Sequence, residues 1–253
     1  MRIRPVLFLS ALLAAPALAL AQAASAPASA SASAPASAPA QLAMPVIRLG
    51  VDVPPYYVAG RRLGEPPQVA IDPAYDKLLS SSQRQDVQQA MQAIAAKPDL
   101  VRPETLIVLS MRLYDVGLRD DAVFWYYAGR DRFFTMEQVL DMRSLQLAHS
   151  AEVAETFIRA AGPAMDGYAY CSIARQAESE DRAIAWVATH PYKVLGYTEL
   201  PATSEDRNAA LSAAVNQLRD ESRKKKSLLA DPRTLAERAA ARERNHAHEL
   251  YCW

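Results

Sequence analysis

The sequence predicts a mainly α fold, a helical bundle with a short extended arm at its N-terminal edge. Three observations carry that expectation. Glycine is scarce, with eight in 253 residues, while Ala, Leu, Arg, Glu and Gln abound, which favours helix over a β-sandwich or barrel. Apolar residues recur at helical spacing: Leu106, Leu109, Leu113 and Val116 form one stripe. Proline and glycine stand where helices start and stop, as at Pro103, Gly117, Pro191 and Pro232.

The first element is an export signal. Arg2 and Arg4 make a positive start, Val6 to Leu20 an apolar run, and Ala21-Gln22-Ala23 a small-x-small exit. Residues 1–23 therefore read as a cleaved signal peptide, with Ala19-Leu20-Ala21 as an alternative exit two residues earlier. The other reading is an uncleaved anchor, but the run is shorter than the ~20 residues that span a bilayer. No Cys follows either exit, so lipid attachment is not expected. Residues 24–43 form an Ala/Ser/Pro-rich linker that can neither bury a core nor settle as a helix, and is expected to be disordered. The domain proper is residues 44–253. It contains no further apolar run fit for a membrane, so no stable anchor is expected once the leader is gone. The expected location is the periplasm or the exterior.

Charge narrows the partners. Cleavage removes Arg2 and Arg4 from 28 basic residues and nothing from 28 acidic ones, leaving a net charge of −2. A nearly neutral chain has no long-range pull toward nucleic acid. The one dense basic run, Arg223 to Lys226, follows Asp220 and Glu221 and reads as a solvated helix face. The two cysteines, Cys171 and Cys252, are expected to form a disulfide in an oxidising compartment. Two free thiols, or pairing with another chain, are the alternatives.

Along the domain, Val46, Ile47, Leu49, Val51 and Val53 alternate in part and suggest a short strand or an extended arm, stopped by Pro54-Pro55. Tyr56-Tyr57 and Gly60 to Pro67 read as irregular surface chain. Ser82 can cap a helix running to Ala95. Pro103 opens the next helix and Gly117 stops it. Asp120 or Asp121 can cap a third, with Ala122, Trp125, Tyr126, Gly129 and Phe133 inward. Further helices are expected at about 135–148, 151–161, 164–176 and 179–189, then a loop from Tyr192 to Thr203. A C-terminal helical hairpin at about 204–250 would turn at Asp231-Pro232.

Within this plan, about residues 104–133 resemble a tetratricopeptide or Sel1-like helical hairpin. Leu109 and Ser110 match its large-small pair, Leu113 its core site and Gly117 its turn. Ala122 matches its small crossing position, and Tyr126 and Gly129 its later aromatic and small positions. The resemblance spans roughly one repeat. It implies TPR-like helical packing, a groove for a peptide or protein, and no enzyme activity.

Catalytic patterns are not found. There is no Gly-x-Ser-x-Gly elbow and no phosphate loop. His246 and His248, two apart on an expected helix, would point to nearly opposite faces, so no metal or cofactor is expected. Asp72, Asp76, Asp120, Asp121 and Asp166 carry no pattern that singles out a pair. The sequence therefore favours a periplasmic protein-binding protein, for instance an immunity protein against a periplasm-acting toxin or an envelope assembly factor. Its candidate contact surface is the aromatic set Trp125, Tyr126, Tyr127, Phe133 and Phe134. The alternative is a cell-envelope enzyme such as a cell-wall hydrolase.

Overall fold

A computed structural model describes residues 48–62 and 64–253; the expected leader and linker lie outside them. The fold is mainly α. At the N-terminal edge three two-residue strands, β1 (Asp52–Val53), β2 (Tyr57–Val58) and β3 (Gln68–Val69), pair antiparallel in that order. Tyr57 faces Val53 on one side and Val69 on the other, and is fully buried. The expectation of surface chain at Tyr57 is thus corrected. Cross-strand pairing satisfies its backbone, and the core takes its ring.

Helices α1 (Asp76–Leu79) and α2 (Arg84–Ala96) lead to the central pair, α3 (Pro103–Asp115) and α4 (Arg119–Val139). Pro103 occupies the first turn of α3, where its missing N–H costs nothing. Every residue from Pro103 to Tyr114 is buried, so α3 is sheathed on all sides. Gly117 ends it at φ +79°, in the left-handed region. There the amide of Gly117 reaches the Tyr114 carbonyl at 3.0 Å and that of Leu118 the Leu113 carbonyl at 2.8 Å, a Schellman closure. Ser82 does not cap α2. That helix starts at Arg84, and the Ser81 hydroxyl takes the Gln83 amide instead. Asp120 and Asp121 likewise fall in the first turn of α4 rather than at its cap, where they complement the helix dipole.

Helix α4 runs unbroken through the break expected near residue 134 and stops at Val139, so the separate helix expected at 135–148 is corrected; residues 140–147 are not helical. The Thr203 amide and hydroxyl take the Val139 and Gln138 carbonyls, and Leu140 bridges to Ala202. Backbone acceptors that would have continued the helix are thereby used up. Helix α5 (Ala148–Ala169) runs unbroken where two helices were expected. Its Pro163 faces solvent, so the carbonyl freed four residues earlier is not stranded in the core. Helix α6 (Ile173–Thr189) begins earlier than expected because the Ser172 hydroxyl accepts from the Arg175 amide.

After a 3₁₀ turn at Lys193–Gly196 come α7 (Arg207–Ala230), α8 (Pro232–Arg244) and α9 (Ala247–Tyr251). Asp231 accepts from the Arg233 and Thr234 amides and starts α8, as its sequence signature requires. Cys171 and Cys252 form the expected disulfide, with Cα atoms 5.5 Å apart. Among the described residues no helix is long and apolar enough to cross a membrane.

Candidate functional site

The aromatic set singled out in the sequence does not form a contact surface. Trp125, Tyr126, Tyr127 and Phe133 are buried and Phe134 is half-buried. Trp125 packs edge-on against Phe124 at 5.0 Å and Trp186 at 5.3 Å. Tyr126 donates to the Ile158 carbonyl and Tyr127 to Asp166, each at 3.3 Å. Helix α4 touches α3, α5, α6 and α7, so little of its circumference is left for solvent. A helix surrounded in this way buries side chains from most of its circumference, which is why the consecutive rings at 125–127 all lie inside.

The same helix carries a buried ionic knot. Arg130 holds Asp131 through two nitrogens, at 3.1 and 2.9 Å, and reaches Glu180 at 3.5 Å. Lys225 of α7 pairs with Glu180, while Gln176 donates to Glu180 at 3.1 Å and to Tyr127 at 3.4 Å. Burial raises the Asp131 and Asp166 carboxyls above the usual range, and Arg130 opposes the rise at both. This knot ties α7 to α4 and α6. It substitutes for apolar contact, since α7 buries only Ala214, Val215, Ser222 and Leu229. The run of three charges Arg130-Asp131-Arg132 between Tyr127 and Phe133 in α4 was its one sequence signal.

The acids considered for hydrolysis are scattered. Asp76 accepts from the Ile71 and Asp72 amides, and Asp72 from Ala74. Asp120 accepts from the Tyr168 hydroxyl at 3.1 Å and meets Arg175 at 3.5 Å. Asp166 belongs to the knot. His246 lies between α8 and α9, at φ +51°, rather than on one helix with His248. Among the described residues no group of three or more His, Cys, Asp or Glu is placed to hold a metal ion.

The open site lies beside the disulfide. Helix α8 has thirteen residues and none is buried. Its Leu235, Arg238, Ala239 and Arg242 fall at i, i+3, i+4 and i+7, on one face. That face meets no packed core. It borders a cavity of about 580 Å³ whose opposite wall is Tyr170, Cys171 and Ile173, at the turn from α5 to α6. A second cavity of about 420 Å³ shares Tyr170, Arg238 and Arg242 and continues toward Tyr251. The wall is held at its ends: Asp231 caps it at one, and α9 with the disulfide secures the other. Gly167 makes that second anchorage possible, because a methyl group there would sit 2.7 Å from the Tyr251 ring.

The two arginines are positioned differently. Arg238 lies over the Tyr170 ring, 4.4 Å from its centre. Arg242 donates to the Gly167 carbonyl at 3.2 Å and approaches the Cys252 and Cys171 sulfurs at 3.2 and 3.5 Å. Burial lowers the Arg242 pKa, and the neighbouring Arg238 adds to it. Glu243, His248 and Glu249 complete the mouth. Chemically, the groove offers an apolar floor and two fixed guanidinium groups. Its signal in the sequence was the spacing from Leu235 to Arg242 in the second helix of the expected C-terminal hairpin.

The fold and groove define a mainly α-helical protein with an open, ligand-sized cavity. The chain is similar to a protein of Haemophilus influenzae described as "Uncharacterized protein", at 29% identity over 209 residues, covering 83% of this chain and 80% of the relative. No family model and no solved structure matches.

Proposed function

We propose that this chain is a periplasmic protein-binding protein, of the immunity or envelope-assembly kind, and that it holds a segment of its partner in the groove beneath α8. The carrying observation is the α8 face itself. A helix that turns an apolar and cationic stripe toward a cavity of about 580 Å³ offers a surface of the size that binding sites use. Export by the 1–23 leader and the tether at 24–43 would deliver it to the envelope. The α3/α4 hairpin supports the tetratricopeptide-like part of the reading. Ala122 is fully buried, and Gly129 lets α4 approach Ile107 and Leu106 closely.

A photo-crosslinking amino acid tests this reading. Placed at Ala239, in the groove wall, it should give one discrete protein adduct in cells. Placed at Glu155, on the exposed side of α5, it should not. Equal adduct patterns from the two positions, or none from Ala239, would overturn the assignment. Fractionation of the tagged chain should place it in the periplasm with its N-terminus at residue 24; retention of the first 23 residues in the cytosol would overturn the export reading.

A further inference from the structure

We propose that the α8 groove recognises the free C-terminal carboxylate of a peptide segment that ends in an apolar side chain. This rests on the partner-binding reading above and names the part of the partner that is held.

Charge points to the carboxylate. Arg238 and Arg242 stand one turn apart on the groove face of α8, so their side chains can bracket one small anion. Among the described residues neither makes an ion pair. Both are nevertheless held in place, Arg238 on the Tyr170 ring and Arg242 on the Gly167 carbonyl. Guanidinium groups fixed without an acid present a ready-made receptor for one, since the ordering cost is already met. Burial and the neighbouring Arg238 lower the Arg242 pKa, and the charge of an arriving anion would offset that repulsion.

The floor points to the apolar side chain. Ile173 is 37% exposed at the first position of α6, facing the cavity beside Leu235 and Ala239. Covering those groups is favourable at about 25 cal/mol per Å².

The rim separates a peptide from other amphiphilic anions. Glu243 and Glu249 stand at the same mouth as the arginines. Any carboxylate entering here meets their repulsion, but a peptide also brings backbone N–H groups that can donate to them, which a fatty acid or lipid headgroup lacks.

The test uses the mature, oxidised chain and fluorescein-labelled pentapeptides, randomised at four positions and ending in Leu, Val or Phe. Each pool is made with a free carboxyl and with a carboxamide. Anisotropy should show the free-acid pool binding at least tenfold more tightly than the amide pool. Arg238→Gln should bring the acid down to the amide level and leave the amide unchanged. Ile173→Asp should weaken both. Circular dichroism and thiol titration confirm that each variant is folded and bridged. Equal affinity for acid and amide, no effect of Arg238→Gln, or Arg238-dependent binding of dodecanoate in place of the peptide would overturn the proposal. The crosslink from Ala239 reads partner capture whichever part of the partner is held. Lost discrimination with the crosslink retained therefore overturns the carboxylate assignment alone.

Discussion

Arg112 is 1% exposed, and its guanidinium pairs with Asp115 while donating to the Leu79 and Ser81 carbonyls at 2.8 Å. Asp115 in turn accepts the Leu49 amide at 2.8 Å. One side chain thus fastens the chain before β1, the end of α1 and the end of α3 together. Burial pushes the Asp115 carboxyl up from 3.8 to about 6, against the pull of Arg112. A carboxyl whose folded pKa is raised contributes stability that is fully present below its unfolded value and is lost as pH rises through the folded one. For Asp115 that window runs from 3.8 to about 6. Arg112→Met should therefore cost about 3 kcal/mol at pH 7.5, where it strands a buried carboxylate, and clearly less at pH 5, where that group takes up a proton. Urea unfolding at the two pH values measures the difference; equal losses would refute it. The sequence hinted at the closing glycine of α3 but not at this knot, because a buried arginine is distinguished only by neighbours distant in the chain.

Among the elements, those with local punctuation were the most legible. Pro103 and Gly117 bound α3, and Asp231-Pro232 starts α8, because caps act through backbone geometry within a few residues. Elements whose limits depend on distant partners were misplaced. The end of α4 is decided by Thr203, more than sixty residues away, and Pro163 inside α5 is tolerated because of where it faces. The aromatic run in α4 was legible as unusual, but its burial follows from four neighbouring helices that no local pattern displays. The groove was half legible: the stripe could be counted, but the cavity it faces depends on where the disulfide returns the chain. At this scale Gly117→Ala should cost roughly 1–2 kcal/mol, since the left-handed conformation is strained for any residue with a Cβ. The space around it is empty, so no packing loss adds to that figure. Thermal unfolding would show it, and an unchanged midpoint would mean that the α3–α4 turn relaxes at no cost.

Across the whole molecule stability is unevenly shared. The α3/α4 centre is buried on nearly every side, whereas α7 rests on an ionic knot and a few small residues, and α8 on its two ends and the polar contacts of Arg238 and Arg242. The disulfide spans a sequence separation of 81, a loop for which the chain-entropy model assigns about 4.5 kcal/mol. Replacing Cys171 and Cys252 with Ser should thus remove up to about 4 kcal/mol of stability. Hydrogen exchange should speed up across residues 232–251 while 103–139 stay protected. Uniform acceleration would show that the two regions open as one unit instead.

The bridge also makes residues 171 to 252 a covalent ring on which α6, α7, α8 and α9 are strung. A ring opened at one peptide bond is still a single molecule. A protease that nicks the exposed Ala230–Asp231 junction would leave the two pieces joined, migrating as an intact chain until a thiol reductant releases the smaller one. Such a circular topology would let the wall of the groove outlast its own cleavage.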